Sequence, residues 1–190
     1  ENSSAASDVY KRQMFDNDVS PSFLQLSKAT DKLIVINSAS KSFNMTGWRI
    51  GWITHPQELG PHIAKLVQIT TTGVPEFLQN GLISALQNYK LLTKEVRQNL
   101  KKSRDIMFQR LVEWKRVECS VPEAAFYAFF KVKDIKDSLE FAKKLIIDTN
   151  VGVAPGIAFG ESGEGHLRIC FAAQPSFINE IMDRLEPALN

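Results

Sequence analysis

The residues whose types and spacing could do chemistry lie in one run, Asn37-Ser38-Ala39-Ser40-Lys41-Ser42-Phe43-Asn44-Met45-Thr46-Gly47-Trp48-Arg49-Ile50-Gly51-Trp52. Lys41 stands just past an apolar stretch, where a neutral amine can attack a carbonyl carbon and form a Schiff base. Ser38 and Ser40 precede it by three residues and one, and Arg49 follows eight residues later. Hydroxyl donors and a planar, permanently charged fork are what a phosphate dianion requires. Taken together, Lys41, Ser38, Ser40 and Arg49 could hold a phosphorylated aldehyde. Taken singly, each has a plainer reading, Lys41 as a loop lysine and Arg49 as the partner of a structural carboxylate.

Certain elements must position these groups. Leu33-Ile34-Val35-Ile36-Asn37 is short, apolar and β-branched, which predicts a strand buried on both faces and ending in a small polar turn, Ser38-Ala39-Ser40. Trp48 to Ile53 reads as a second strand, close enough to pair antiparallel with the first. Helices follow, one opening at Pro56-Gln57-Glu58-Leu59, one running from Val74 through Ala85-Leu86, and a long amphipathic one over residues 94–114. Residues 125–132 read as a strand, although periodicity alone also allows a buried helix. A helix capped near Asp137-Ser138 carries Leu139, Phe141, Leu145 and Ile146. A short strand over residues 151–156, a strand over 166–171 and a last helix from Gln174-Pro175-Ser176 complete the chain, Pro187 being expected to stop that helix. The order of elements argues an α/β or α+β protein with two subdomains.

Composition narrows the function classes. The 190 residues carry 23 basic and 21 acidic side chains, a net charge of +2 that leaves no electrostatic footprint for nucleic acid. No apolar run approaches the roughly 20 residues that span a bilayer, and the polar start is no signal peptide, so the expectation is a cytoplasmic protein without a membrane partner. Cys119 and Cys170 are too few and too far apart for a disulfide framework or a zinc site, and read as small buried hydrophobes with no metal expected. The cluster Lys101-Lys102-Ser103-Arg104 reads as a solvated helix face.

The run S-x-S-K-x-F-x-M-x-G-W-R-x-G-W, read from Ser38 to Trp52, resembles the class I/II aminotransferases, the fold-type I pyridoxal phosphate (PLP) enzymes related to aspartate aminotransferase. The resemblance continues in Pro122-Glu123-Ala124-Ala125-Phe126-Tyr127, with Ala124 where the family usually has Gly, in Pro155-Gly156-Ile157-Ala158-Phe159-Gly160, and in Gly165-His166-Leu167-Arg168-Ile169. It covers the chain from about Ser7 to the C-terminus. The fold it implies is α/β, PLP-dependent transferase fold type I: part of the large PLP-binding domain over residues 1–105 and a small C-terminal α+β domain over 106–190. The function it implies is a transaminase moving an amino group between an L-amino acid and a 2-oxo acid, in a homodimer. Lys41 would be the Schiff-base lysine and then the proton shuttle. Ser38, Ser40 and Arg49 would bind the cofactor phosphate, Tyr10 its 3′-oxygen, and Arg168 the substrate α-carboxylate as a positioning fork.

The match departs from the family near the start. A D-x-x-Y pattern pairs an Asp with the pyridinium nitrogen, yet Ser7 lies three residues before Tyr10 and Asp8 comes one residue late. On a strand that slip turns the side chain to the opposite face, so either the backbone bulges to bring Asp8 round or the carboxylate has been lost. The family's segments upstream of that strand have no counterpart, which predicts exposed apolar sheet surface, poor stability and an incomplete site for this chain alone. Two other functions fit the same residues: a PLP-dependent lyase of this fold, and a non-catalytic PLP- or effector-binding module.

Overall fold

The computed structural model describes residues 6–7, 15, 22–28 and 31–190. Two compact units divide the chain, residues 1–97 and 98–190. The division falls inside one long helix, whereas the sequence places a domain boundary eight residues later in the same helix.

In the first unit β1 (Ala6–Ser7), β2 (Val35–Ser38) and β3 (Gly51–Thr54) form a sheet in that order, β1 parallel and β3 antiparallel to β2. The expected antiparallel pair is present, although β3 starts at Gly51 because Thr46–Trp48 form a 3-10 turn and Arg49 is left-handed. The predicted burial of β2 on both faces is not observed. Val35 and Asn37 point into the unit, but Ile36 and its cross-strand partner Ile53 are each 42% exposed. Alternation on a strand puts them on the same open face.

Helices α1 (Phe23–Leu26), α2 (Ala39–Ser42), α3 (Gly60–Thr70) and α4 (Glu76–Gln87) complete this unit. Pro56-Gln57-Glu58-Leu59 makes a 3-10 turn that leads into α3, and Pro61 occupies the first turn of α3, where its missing N–H costs nothing. Ala39, Phe43, Met45, Ile50, Leu82 and Ala85 form the core, with Trp52, Val74, Leu78 and Leu92 packed against it. Leu82 and Ala85 are three apart on α4, so one helical face meets the segment that carries Lys41. Gly81 lies beside them because a Cβ there would stand 2.4 Å from the Trp48 ring.

The second unit holds most of α5 (Tyr89–Leu111), α6 (Ser138–Thr149), α7 (Pro175–Leu189) and a four-stranded antiparallel sheet in the order β4 (Val117–Glu118), β5 (Tyr127–Val132), β7 (His166–Cys170), β6 (Ala154–Pro155). Residues 127–132 are therefore strand and not buried helix. Ala128, Phe130 and Val132 of β5 and Leu167 and Ile169 of β7 face a core filled by Met107, Phe108, Leu111, Leu145, Ile178, Met182, Leu185 and Leu189. Each of these side chains larger than alanine, fully buried, contributes about 1.5–3 kcal/mol relative to exposure. Trp114 is buried but lies beyond the end of α5.

Several expectations are corrected here. Pro187 does not stop α7, which continues to Leu189. Burial of Leu189 and acceptance of the Asn190 N–H by the Glu186 carbonyl at 2.9 Å hold the last turn despite the missing proline donor. Leu139 and Ile146 are exposed on α6, where Ser138, Ala142 and Leu145 are the buried positions. Ser103 and Arg104 are no solvated face: the Ser103 hydroxyl donates to the Ala173 carbonyl at 2.7 Å and Arg104 donates to the Pro122 carbonyl at 3.1 Å, both side chains buried. Neither cysteine is a core residue. Cys119 is half-buried, its thiol pushed up by desolvation, and Cys170 is exposed at the end of β7. No helix among the described residues is long and apolar enough to cross a membrane.

Candidate active site

Ser38 ends β2 in extended backbone and caps α2: its Oγ accepts the Ser40 N–H at 3.1 Å. A serine in this place relieves one of the orphan donors of a helix start, so the small polar turn expected at Ser38-Ala39-Ser40 is the opening of a helical turn. Lys41 is the third residue of that turn and half-buried. Ala39 and Phe43, two residues to either side, are both core, and the Phe43 N–H bonds back to the Ala39 carbonyl at 3.1 Å. The lysine backbone is thereby anchored on both sides.

The chain returns Arg49 to the same end of the hairpin. Ser38 pairs with Gly51, and the Ala39 N–H donates to the Ile50 carbonyl at 3.1 Å. Arg49 sits just before β3 and not on it as expected, with φ 52° and ψ 39°. A non-glycine residue there costs about 1–2 kcal/mol. Its guanidinium donates to the Thr46 carbonyl at 3.0 Å, which holds the turn and uses one of five N–H groups.

Sequence reasoning missed a further feature of this corner. Asn37, Ser40 and Ser42 are 7%, 8% and 3% exposed, and among the described residues their side chains make no hydrogen bond. The other buried polar side chains, Ser103, Arg104 and Ser138, are all bonded. A buried polar group left unsatisfied costs about 1–3 kcal/mol, and such groups ordinarily await a ligand, an ion or water. All three lie within four residues of Lys41. Nothing in the sequence distinguishes them from satisfied serines and asparagines, since the signal is the want of a partner.

In the second unit Arg168 lies on the outer face of β7, opposite Phe129 of β5 and Ala154 of β6. Its guanidinium carbon is 4.3 Å from the centre of the Tyr127 ring and 4.2 Å from that of Phe159. Among the described residues it makes no hydrogen bond or ion pair, so a surface ion pair is not what holds it. Phe159 closes a 3-10 turn, Gly156–Phe159, that is tied down locally. The Ile157 N–H donates to the Ser138 hydroxyl at 3.2 Å, and a Cβ on Gly156 would stand 1.9 Å from the Gly163 carbonyl oxygen. Glu164 accepts the N–H groups of Gly165 at 2.9 Å and Ser138 at 2.6 Å, which hold its carboxyl below the usual range.

Tyr10 and Asp8 lie outside the described residues. Ser7 is placed only by its backbone, which pairs with Ile36 in the parallel β1–β2 ladder. Ser38, Ser40, Lys41 and Arg49 thus share one hairpin end of the first unit, while Arg168 belongs to the second.

An amine, two hydroxyls, one accepting so that its hydrogen is left to donate, a fork with spare donors and further orphaned polar groups are the kinds of group that a phosphate-bearing carbonyl compound would engage. Comparison with known proteins gives the family: residues 7–185 match the family model of aminotransferase class I and II, and the chain belongs to that family of PLP-dependent enzymes. It is 34% identical over 182 residues to the LL-diaminopimelate aminotransferase of Maridesulfovibrio salexigens, covering 95% of this chain and 47% of that protein. It is 31% identical over 185 residues to the aspartate aminotransferase of Pyrococcus abyssi, covering 96% and 47%. The crystal structure of the aromatic aminotransferase of Pyrococcus horikoshii superposes with a TM-score of 0.89 at 29% identity, over 97% of this chain and 50% of that one. The fold is accordingly fold-type I α/β, and the chain spans about half the length of the curated relatives it matches.

Proposed function

We propose that this chain supplies the lysine, the phosphate-binding hairpin and the carboxylate-binding arginine of a PLP-dependent aminotransferase acting between an L-amino acid and a 2-oxo acid. The observation that carries the reading is the set of buried, unpartnered polar side chains around Lys41 in a family that binds a phosphorylated aldehyde. Ser38, Ser40 and Arg49 hold the phosphate dianion, the hydroxyls by donating and the guanidinium as a charged fork. Lys41 would hold the aldehyde end of PLP through its amine and, with substrate bound, would carry the proton taken from the substrate Cα. Arg168 holds the substrate carboxylate and so orients that Cα–H bond. PLP, when bound, supplies the electron sink that makes the proton labile. Tyr10 as partner of the 3′-oxygen, Asp8 as a route to the ring nitrogen, and a homodimeric assembly are carried by family resemblance alone.

The test is borohydride reduction of the purified chain with PLP, followed by peptide mass mapping. A stable adduct on the peptide containing Lys41, absent in Lys41→Ala, is expected. Reduction that labels surface lysines equally and leaves Lys41 unmodified would sink the proposal. Amino transfer from a panel of L-amino acids to 2-oxoglutarate then separates a working transaminase from a chain that only binds.

A further inference from the structure

Arg168 is gripped in an unusual way for a residue meant to bind an anion. A lone arginine on a sheet surface would sample many rotamers, and ordering it costs entropy each time a ligand binds. Here the guanidinium carbon lies over two rings at once, 4.3 Å from the centre of Tyr127 and 4.2 Å from that of Phe159. Attraction between the cation and each ring quadrupole fixes the guanidinium plane. The five N–H groups all lie in that plane, so contacts made over the ring faces leave the N–H groups themselves to donate. A carboxylate then has one productive approach, in plane and bidentate.

The clamp is itself supported. Phe159 meets Phe129 edge to face at 5.9 Å, and Phe129 stacks on His166 at 5.0 Å with the rings 7° apart. Tyr127 and Phe129 are successive outward residues of β5, and His166 and Arg168 of β7, so strand alternation sets this array on one face. The Gly156–Gly163 close approach and the Ser138 hydroxyl fix the turn that carries Phe159.

We propose that Phe159 and Tyr127 are positioning residues that clamp Arg168 through two simultaneous cation–π contacts, and so set its affinity and geometry for a carboxylate. The inference rests on the reading of Arg168 as a carboxylate-binding fork, and its test keeps the two apart. The full chain with isotope-labelled arginine is titrated with propionate, a carboxylate that needs no cofactor, while the Arg168 side-chain NMR resonances are followed. In the wild type those resonances should be shifted upfield by the two rings and should move on titration. Phe159→Leu should lose about half of the upfield shift and bind propionate about threefold to fivefold more weakly, and Phe159→Tyr should restore both. Phe159 is 46% exposed, so Leu there should leave the backbone amide resonances of β5 and β7 in place.

If propionate moves the Arg168 resonances equally in wild type and Phe159→Leu, the clamp proposal is overturned while the fork stands. If propionate leaves Arg168 unmoved in the wild type, the fork reading fails and the clamp proposal with it. Loss of affinity without loss of the ring-current shift would also overturn the clamp, because the weakening would then have another cause.

Discussion

The two units solve the burial problem to different degrees. Among the described residues, the largest wholly buried side chains are Phe130, Phe171, Met107, Leu111, Leu145, Leu167, Ile178, Met182, Leu185, Leu189 and Val132 in residues 98–190, and Val35 in residues 1–97. The second unit covers one face of its sheet with helices and uses the other to present Arg168. The first leaves the Ile36 and Ile53 face open and buries no residue of α3. Yet the first unit holds Lys41, the orphaned polar groups and the left-handed Arg49. The candidate Schiff-base lysine and the orphaned polar groups therefore sit on the less filled scaffold, and Arg168 on the better packed one.

The strongest test of that contrast is a large-to-small change in each core. Phe130→Ala should cost about 3–5 kcal/mol, because antiparallel neighbours and three helices prevent collapse of the cavity. Phe43→Ala should cost less, nearer to 2 kcal/mol, since the surrounding core is thinner and relaxes more readily. Chemical denaturation followed by tryptophan fluorescence compares them, and equal losses would break the distinction.

Next in size is a change at the strained arginine. Arg49→Gly removes the proposed phosphate fork and also the left-handed penalty. PLP affinity should fall about tenfold to a hundredfold, as expected for losing a charge-assisted bond. Stability should stay level or rise by up to about 1 kcal/mol. A loss of stability would show that the bond to the Thr46 carbonyl, and not ligand binding, is the reason for an arginine here. Arg49→Lys keeps both the charge and the strain, so it should weaken PLP without the gain.

These contrasts mark what the sequence could tell. That Lys41, Ser38, Ser40 and Arg49 share one hairpin end was legible because their spacing is local. Strands β2, β5 and β7 were legible through apolar β-branched or aromatic runs, though not the start of β3, which a left-handed residue decides. Ser103 and Arg104 were misread as solvated because their partners, Ala173 and Pro122, lie 70 and 18 residues away. Pro187 was misread because local propensity forbids what burial of Leu189 sustains. The Arg168 clamp was out of reach for the same reason: Tyr127 and Phe159 meet the guanidinium only through strand pairing and a turn held by backbone contacts.

A smaller effect concerns acid. Glu164 has its carboxyl lowered by accepting the Gly165 and Ser138 N–H groups. A carboxylate with a depressed value in the folded state adds stability above its unfolded value, and that stability is lost as the pH falls through the folded one. The second unit should therefore weaken from about pH 4.5, the ordinary value, downward. Glu164→Gln should be somewhat less stable at pH 7 and show a flatter acid dependence over that window. Parallel pH profiles for the two proteins would mean that these bonds do not survive in solution.

The smallest effect is expected on α3, and it probes the open side of the contrast. Leu66 and Ile69 are 60% and 72% exposed, so most of their apolar surface stays in water when the chain folds. Replacing both by Ser forfeits little burial and changes helix propensity only modestly. Stability should move by no more than about 0.5 kcal/mol per site, while binding of a hydrophobic dye should drop. Denaturation at two protein concentrations separates this from the alternative. A concentration-dependent loss of 2 kcal/mol or more would mean that the face is covered in solution by another copy, and the first unit would then be filled by association where the second is filled by its own helices.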